Sequence, residues 1–479
     1  MRFLHEEDEV RELTYEDAFL LPQYSEIGSR MDVDVTPPDG VGTTIPIVIS
    51  NMTSAAGKRM AETVTRRGGL VVLPQDMPLD RVETIVQYLK TRHPIFETPV
   101  MLEDAECIQT GLNLIHKRAH GAVIVIDKES KPVGVFTERD AEGKDRFAAL
   151  GGVMSKNIVS ANESITPRDA FDKMGTHHIP ILPIIKQSGE LLGVITPKGA
   201  VRSTIYKPAL NNQGQFLTAV AMGISNGVSE RAEALLKMGV DIFVVDTAHG
   251  HSKRMIDAIK RVRSVVGKDK VIYAGTVVTA RGVEDLIQAG ANIVKVGIGA
   301  GGSCITRMRT AHGRPQLSAV IECAKTARTA GAYIWSDAGI REPRDLALVL
   351  AAGASSAMWG TPWVGTYESP GDIYQDEDGR LYKINFGMAS RRAVRERANG
   401  QDVFSQALKS YFEEGISEGK IYIKPGLESA EDMIDLMISG LRSALSYTGA
   451  RNLEEFHEKA IFGTQTPGGF NEGKALLQY

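Results

Sequence analysis

The sequence predicts an α/β protein with a parallel sheet that a duplicated segment interrupts. After Phe243, apolar runs that suit strands alternate with amphipathic runs that suit helices, which is typical of parallel sheets. Another apolar run, Pro46–Ser50, precedes the duplication, so one domain extends across it. The expected later elements are the strands Phe243–Asp246, Val271–Ala274, Ile293–Gly297, Ile334–Asp337 and Ala357–Gly360, and helices that include Arg281–Ala289, Leu317–Thr329 and Pro343–Ala352.

These strands are apolar throughout and end at Asp or Gly. Continuous apolar strands are expected where helices cover both faces of a parallel sheet. A closed eight-stranded barrel would place the polar strand ends on one face, where barrels of this kind carry their active sites. Periodicity alone leaves an open, doubly wound sheet as the alternative.

The duplication is a segment that occurs twice. Pro132–Ala141 returns 59 residues later as Leu191–Ala200. Each copy follows a short apolar run, Ala122–Ile126 or Ile181–Ile185, with a polar turn between the two parts. Two copies indicate a paired module, because a solenoid needs more repeats to bury its core.

The composition is that of an ordinary folded protein. Of the 479 residues, 43% are hydrophobic and 24% are charged, and the net charge of −4 gives no basic surface for nucleic acid or an anionic membrane. The first residues are rich in charge, so no secretory signal is expected, and no apolar run reaches the roughly 18 residues that span a bilayer. We therefore expect a cytoplasmic protein with no nucleic-acid or membrane partner.

A glycine-rich segment, Gly297–Arg307, carries the best candidate nucleophile. Its glycines match the spacing of dinucleotide-binding loops, but such loops open directly into a helix, and the next helical pattern begins near Gln316. That type of loop is therefore rejected. Cys304 lies where the backbone can approach a ligand closely, which suits a nucleophile. The alternative is an inert cysteine, as Cys107 and Cys323 are interpreted to be.

Motifs along nearly the whole chain resemble the IMP dehydrogenase and GMP reductase family. They are Leu13–Asp17, Asp246–Ser252, Gly297–Arg307, Ser336–Ile340, Glu368–Gly371, Phe386–Met388 and Ser439–Ser443. The duplicated segment resembles a pair of CBS domains, a module that binds nucleotides such as ATP. The resemblance implies a (β/α)8 TIM barrel with a tandem CBS (Bateman) domain inserted after its second β/α unit. The implied domains are 1–94, the first part of the barrel; 95–205, the CBS pair; and 206–479, the second part, with the active-site loop, flap and C-terminal segment.

The resemblance also implies a role for each matching residue. Cys304 would form a covalent adduct with C2 of a purine, and Thr306 and Glu414 would transfer protons. The implied substrate-binding residues are Gly302, Asp337, Ala338, Gly339, Gly360, Thr361, Gly387, Met388 and Ala389, with Asp337 on the ribose. The implied cofactor-binding residues are Asp246, Thr247, Gly297, Ile298 and Gly299. The carbonyls of Gly299, Gly301 and Cys304 match the family's potassium site.

Three positions depart from the family's pattern. Gly302 replaces a phosphate-binding serine, Thr276 replaces an asparagine, and Asn385 replaces a tyrosine near the phosphate. Each departure bears on a single contact of the expected site.

The CBS resemblance implies a regulatory nucleotide, ATP or GTP. Thr137 and Asp140 of the first copy match the hydroxyl and carboxylate that hold its ribose. The second copy keeps Thr196 but has Gly199 in place of the carboxylate, so one competent site is expected. The alternative is a degenerate module that serves dimerisation without a ligand. The family implies a homotetramer or a homo-octamer.

The flap segment separates the family's two reactions. IMP dehydrogenase reduces NAD and hydrolyses its adduct with an Arg-Tyr pair, whereas GMP reductase releases ammonia and accepts hydride from NADPH. No Arg-Tyr dipeptide occurs in this sequence, and no arginine lies between Ala398 and Gly415. Reductive deamination of GMP to IMP, with NADPH or NADH, is therefore expected in purine interconversion, with Glu414 or alternatively Glu418 as the acid. The sequence leaves open two further functions, an IMP dehydrogenase and a catalytically inactive nucleotide sensor.

Overall fold

The computed structural model describes residues 1–388, 390, 391, 393, 402–411 and 414–475. Within these residues, no helix has both the length and the apolar character that crossing a membrane requires. The strands are β1 (Arg2–Phe3), β2 (Ala18–Leu20), β3 (Ile47–Ile49), β4 (Leu70–Leu73), β5 (Val100–Glu103), β6 (Val123–Ile126), β7 (Pro132–Phe136), β8 (Ala161–Asn162), β9 (Leu182–Ile185), β10 (Leu191–Ile195), β11 (Ala219–Met222), β12 (Ile242–Asp246), β13 (Val271–Val277), β14 (Ile293–Val296), β15 (Tyr333–Asp337), β16 (Ser356–Trp359), β17 (Tyr374–Gln375), β18 (Leu381–Asn385), β19 (Gly419–Tyr422) and β20 (Ile461–Thr464).

The α-helices are α1 (Lys58–Arg66), α2 (Leu79–Lys90), α3 (Ile108–Ile115), α4 (Pro167–His177), α5 (Pro197–Ile205), α6 (Val228–Lys237), α7 (Lys253–Val266), α8 (Ala280–Ala289), α9 (Thr306–Thr310), α10 (Gln316–Thr329), α11 (Pro343–Ala351), α12 (Val403–Ser410), α13 (Ala430–Thr448), α14 (Leu453–Lys459) and α15 (Pro467–Glu472). Short 3₁₀ turns lie at Glu6–Val10, Arg30–Asp32, Glu138–Ala141, Leu150–Gly152 and Thr361–Gly365.

Eight parallel strands close into a barrel in the order β11-β12-β13-β14-β15-β16-β3-β4. Closure joins strands from both sides of the duplicated segment: Trp359 of β16 lies beside Ile49 of β3, and Val72 of β4 lies beside Ala219 of β11. The predicted barrel is confirmed, and the open doubly wound sheet is wrong.

Apolar side chains pack in two layers, one inside the barrel and one between its strands and the surrounding helices. Val244, Tyr273 and Trp335 pack inside it, whereas Val245 belongs to the outer core between the strands and helices such as α7, where Val262 is buried. Because successive strand residues face opposite sides of the sheet, one apolar strand supplies both layers. This explains why the barrel strands show no alternation of apolar and polar residues.

Side-chain caps set several helix boundaries near the barrel. Thr279 Oγ1 accepts a hydrogen bond from Gly282 N at the start of α8, and Glu342 and Asp345 form a reciprocal capping box at α11. The predicted element boundaries differ from the observed ones by one to three residues. One helix was missed: α9 follows Cys304 directly, although no helix was expected so early. Its five residues are too few to show a helical period.

Between α2 and β11 the chain forms two similar α/β units. The first contains the sheet β5-β6-β7 and α3, and the second contains the sheet β8-β9-β10 with α4 and α5. In each sheet the middle strand has one parallel and one antiparallel neighbour. Ile124, Ile181 and Val194 from the duplicated hairpins join in a small shared core. The duplication therefore corresponds to two units that pack together.

Buried ion pairs join these units to the barrel. Arg118 of the first unit pairs with Glu62 of α1, and Arg202 of the second pairs with Glu431 of α13 at 3.0 Å. Arg67, which follows α1, also pairs with Glu431, at 2.6 Å. Removing one partner of such a pair leaves an uncompensated buried charge, so these contacts tie the position of the units to that of the barrel helices.

Candidate active site

The carboxyl ends of the barrel strands surround a cavity of about 640 Å³. The end of each barrel strand, or the loop after it, contributes to the wall, as in other barrels of this class. The lining contains the predicted residues Asp246, Thr247, Gly297, Ile298, Gly299, Gly301, Gly302, Cys304, Thr306, Asp337, Ala338, Gly339, Gly360, Thr361, Gly387, Met388 and Glu414. The structure thus brings the predicted barrel residues together. Ala389 lies outside the described residues.

Cys304 begins a chain of two side-chain hydrogen bonds. Its thiol donates to Thr306 Oγ1 at 3.2 Å, and the Thr306 hydroxyl donates to Glu414 Oε2 at 2.9 Å. Cys304 is exposed and lines the cavity, so a ligand there can reach its sulfur. The arrangement can carry a proton between the thiol and the carboxylate through one hydroxyl.

The segment around Glu414 lies across the loop that carries the cysteine. Ile305 N donates to the Glu414 carbonyl at 3.0 Å, and Ile416 N donates to the Ser303 carbonyl at 3.0 Å. These backbone bonds hold the two segments side by side. They fix the Glu414 side chain beside the threonine hydroxyl.

Glu414, rather than Glu418, is the carboxylate that contacts Thr306. Glu418 is exposed and does not line the cavity, whereas Glu414 does.

Lys295 of β14 joins Asp246, an expected cofactor-binding residue, to Asp337, the expected ligand of the substrate ribose. Its Nζ donates to Asp246 Oδ1 at 2.9 Å and to Asp337 Oδ2 at 2.8 Å, and Asn51 Nδ2 donates to Asp246 Oδ2 at 2.9 Å. Burial acts to lower the pKa of Lys295, but the two negative charges outweigh it and hold this pKa above its ordinary value. Burial raises the pKa of Asp337, and the ammonium offsets part of that effect.

A polar cluster anchors the catalytic loop near the predicted phosphate site. Asn385 Nδ2 donates to Ser303 Oγ at 2.6 Å, and Ser54 Oγ donates to Asn385 Oδ1 at 2.8 Å, with all three side chains buried. Asn385, which replaces the family's tyrosine, therefore ties the loop to the segment after β3. At Gly302, a Cβ would lie 3.5 Å from Thr361, so this loop has room for the family's serine.

Gly297 ends β14 in a conformation that only glycine adopts easily. Its φ is 145°, and a Cβ there would lie 2.2 Å from the Asp337 carbonyl oxygen. The glycine allows the catalytic loop to leave the barrel close beside β15. Gln316 Nε2 donates to the Val296 carbonyl at 2.8 Å and fixes the same corner.

The carbonyls matched to a potassium site all belong to one loop. The Gly301 carbonyl accepts a hydrogen bond from Cys304 N at 3.0 Å, which closes a tight turn, and Gly299 lies in the same stretch of cavity wall. A carbonyl oxygen has two lone pairs, so this bond leaves one for a cation. Neutral carbonyl oxygens are the ligands that replace the hydration shell of potassium in channels, so this donor set fits that ion.

The predicted regulatory pair lies in the first inserted unit. Thr137 N and Oγ1 each donate to Asp140 Oδ2 at 2.8 Å, and together the residues form a capping box for the 3₁₀ turn Glu138–Ala141. In the second copy, Thr196 Oγ1 accepts from Gly199 N at 3.0 Å. The hydroxyl and carboxylate are adjacent, and in this structure they stabilise their own turn.

Sequence reasoning missed several polar residues of the cavity, among them Lys295, Asn51 and Gln75. Lys295 is a lone charge within the apolar strand β14, and a buried charge signals a partner. Asn51 and Gln75 follow the apolar strands β3 and β4 just as polar residues follow the later barrel strands, so the strand-end rule could have found both. Gln75 Oε1 has no hydrogen-bond partner among the described residues.

Known proteins resemble this chain over its whole length. A family model described as the IMP dehydrogenase / GMP reductase domain matches residues 12–475. GMP reductase of Mycobacterium tuberculosis is 47% identical over 476 residues and covers 99% of each chain, and inosine-5′-monophosphate dehydrogenase of Aquifex aeolicus is 35% identical over 475 residues and covers 97% of this chain and 96% of its own. A solved structure of a cysteine-to-alanine variant of GMP reductase from Trypanosoma brucei, in complex with guanosine 5′-monophosphate, has a TM-score of 0.70 at 30% identity and covers 98% of each chain. The chain therefore belongs to the IMP dehydrogenase / GMP reductase family of oxidoreductases.

Proposed function

We propose that this chain is a GMP reductase, which uses NADPH to convert GMP to IMP and ammonia through a covalent adduct at Cys304. The observation that carries the proposal is the chain of hydrogen bonds from Cys304 through Thr306 to Glu414, in a sequence without an Arg-Tyr pair. This relay suits the protonation of a leaving amine, whereas a dehydrogenase must activate water for hydrolysis. The similarity to the mycobacterial GMP reductase supports the same reaction.

The protons of the deamination step balance within the relay. The sulfur of Cys304 bonds to C2 of the guanine base as the bond from C2 to the 2-amino nitrogen breaks. The thiol proton passes through Thr306 to Glu414, and Glu414 gives a proton to the nitrogen, which leaves as ammonia. A positioned acid of this kind contributes about 10²–10⁴-fold to the rate.

When bound, NADPH would supply the hydride that reduces C2. The sulfur of Cys304 would then leave with the electrons of its bond to carbon, and IMP would be released. We infer that Asp246, Thr247 and the loop from Gly297 to Gly299 hold this cofactor. Asp337 would accept hydrogen bonds from the ribose hydroxyls of GMP, because a carboxylate offers two acceptor oxygens. The remaining proposed contacts are Gly302, Gly339, Gly360 and Thr361 with the phosphate, Ala338 beside the ribose, Gly387, Met388 and Ala389 with the base, and potassium at Gly299, Gly301 and Cys304.

The two inserted units are proposed to be a CBS pair that regulates the barrel. Thr137 and Asp140 would hold the ribose of ATP or GTP, in place of the bond that they make to each other. The separate cores of the units suit a module whose ligand changes activity without entering the active site. By analogy with the family, the assembly is a homotetramer or a homo-octamer.

One assay tests the reaction. The purified full-length chain is given GMP with NADPH or NADH, and separately IMP with NAD, while nicotinamide absorbance and ammonia are followed. We expect GMP-dependent oxidation of NADPH with release of ammonia, and no measurable turnover by Cys304→Ala, because both halves of the reaction pass through the adduct. Cys107→Ala, at a cysteine remote from the cavity, should retain activity.

Two different results would assign different functions. Robust, multiple-turnover conversion of IMP to XMP would identify a dehydrogenase. A protein that binds ATP or GTP but turns over neither nucleotide pair would be a sensor, a role that the intact relay from Cys304 to Glu414 argues against.

A further inference from the structure

The carboxylates assigned to the two nucleotides share one buried cation. Lys295 Nζ lies 2.9 Å from Asp246 Oδ1 and 2.8 Å from Asp337 Oδ2, and the three side chains are only 6%, 16% and 18% exposed. We propose that Lys295 is the positioning residue for both ribose sites, holding Asp246 toward the cofactor and Asp337 toward GMP. This inference rests on the function proposed above.

The barrel is built to let this lysine reach both neighbours. Lys295 on β14 is paired with Gly275 on β13, and Gly275 is paired in turn with Asp246 on β12. A Cβ at Gly275 would lie 2.5 Å from the Lys295 Cβ. The glycine therefore makes room for the lysine side chain to cross β13 and reach Asp246. Asp337 lies on the other side, at the end of β15.

Without the ammonium, two buried carboxylates would face each other. Like charges at a shared site raise the pKa of one carboxyl group strongly. The phenols of Tyr15 and Tyr273 also face this pair, but burial raises the pKa of each, so they stay neutral and supply no positive charge. The Lys295 ammonium opposes the rise that burial causes in the pKa of Asp337, and an ionised carboxylate accepts hydroxyl hydrogen bonds more strongly than a neutral one.

Equilibrium binding of GMP tests this role without any turnover. Lys295→Met keeps most of the length of the side chain and removes its charge. We expect its dissociation constant for GMP to rise on the order of 10-fold near neutral pH, since charge-assisted hydrogen bonds are lost. The affinity for GMP should also begin to fall at a higher pH as the solution is made acidic, because Asp337 protonates more easily without the ammonium. Titration calorimetry between about pH 5 and about pH 9 measures both effects.

Two further variants separate positioning from a general structural effect. Lys295→Arg, whose fork reaches two carboxylates, should retain the wild-type pH profile. In the double variant Lys295→Met with Asp246→Asn, the profile should return toward the wild type, because Asp337 no longer faces a like charge. Lys383→Met is the matched control: Lys383 is equally buried but donates to the carbonyls of Thr366 and Ser369 at 2.8 and 2.9 Å.

Different experimental results would overturn the inference about Lys295 and the proposed function. If the acid limb of Lys295→Met coincides with that of the wild type, or if Asp246→Asn does not move it back, the inference is overturned. A wild type that binds GMP but does not reduce it would instead overturn the proposed function. Should Lys295→Met fail to fold, as judged by circular dichroism, Lys295→Gln carries the same test with the same expected shift.

Discussion

Thr306 is an intermediary whose behaviour depends on its two neighbours. Its single hydroxyl proton is donated to Glu414, so its oxygen is free to accept the proton of the Cys304 thiol. The threonine can therefore pass a proton in either direction, but it neither stores nor supplies one. In the reaction proposed above, Glu414 is therefore the residue that would give its proton to the leaving amine.

Glu414→Gln should impair deamination far more than hydride transfer. The amide keeps the shape of the side chain and removes its transferable proton, so the release of ammonia should fall by about 10²–10⁴-fold. Rapid-quench measurement of ammonia from GMP follows deamination, and stopped-flow measurement of NADPH formation from IMP and NADP+ follows hydride transfer in reverse, without deamination. Glu418→Gln is the matched control and should keep its activity, because Glu418 is exposed. A fully active Glu414→Gln variant together with an inactive Glu418→Gln variant would identify Glu418, not Glu414, as the acid.

Among the elements around the barrel, α14 is attached to α11 by a histidine. His457 Nδ1 donates to the Ala351 carbonyl, the last residue of α11, at 2.8 Å. Burial and the nearby charge of Arg328 lower the pKa of His457 to about 4, and the bond to Ala351 offsets part of this. The neutral ring is therefore the form that suits the folded protein.

This histidine should make the fold less stable at mildly acidic pH. An unfolded histidine takes up its proton near pH 6.5, whereas the folded one does so only near pH 4, so the unfolded state binds more protons between these values. The free energy of unfolding should fall across this window by at most about 1.4 kcal/mol per pH unit, and by less since the ring is partly exposed. Urea denaturation at pH values on both sides of the window measures the slope. His457→Gln should reduce it and His5→Gln, at an exposed site, should not; equal slopes in all three proteins would contradict the assignment.

Local elements of this protein were predictable because their signals are local. Apolar runs and helical periods marked β12 to β16 and the helices between them, and hairpin similarity marked the duplication. The five-residue α9 was missed because it is too short to show a period. The closure of the barrel depends on Ile49 meeting Trp359, two residues far apart in the chain, and no pattern within one strand carries that information.

The candidate site likewise contains residues that sequence motifs predicted and contacts that only the folded structure shows. Cys304, Thr306 and Asp337 belong to contiguous motifs, so the sequence marked them. The bridging contacts of Lys295 and the anchoring contacts of Asn385 depend on which side chains meet across strands, so only the folded barrel reveals them. The resemblance already favoured Glu414 over Glu418, and the pairing of its segment with the catalytic loop places Glu414 beside Thr306.

On the scale of the whole molecule, the barrel and the inserted units are separate cores joined by charge. Val194 and Ile124 lie in the core shared by the two units. Glu62 and Glu431, on helices of the barrel, form ion pairs with arginines of the units. In the regulation proposed above, a nucleotide bound to the units would act on the barrel through the position of α1 and α13, because buried ion pairs resist separation.

Asp140→Asn should remove nucleotide regulation and leave the basal rate unchanged. The amide can still accept from Thr137 and cap its turn, but it loses the charge that would bind a ribose. Steady-state rates with and without ATP or GTP measure the effect. Thr166 and Asp169 at the start of α4 form a similar contact at 2.7 Å, so Asp169→Asn is a matched control that should keep the wild-type response. A nucleotide response that persists in Asp140→Asn would place the regulatory site elsewhere, because Asp169→Asn removes the charge from a similar contact that lies outside the duplicated segments.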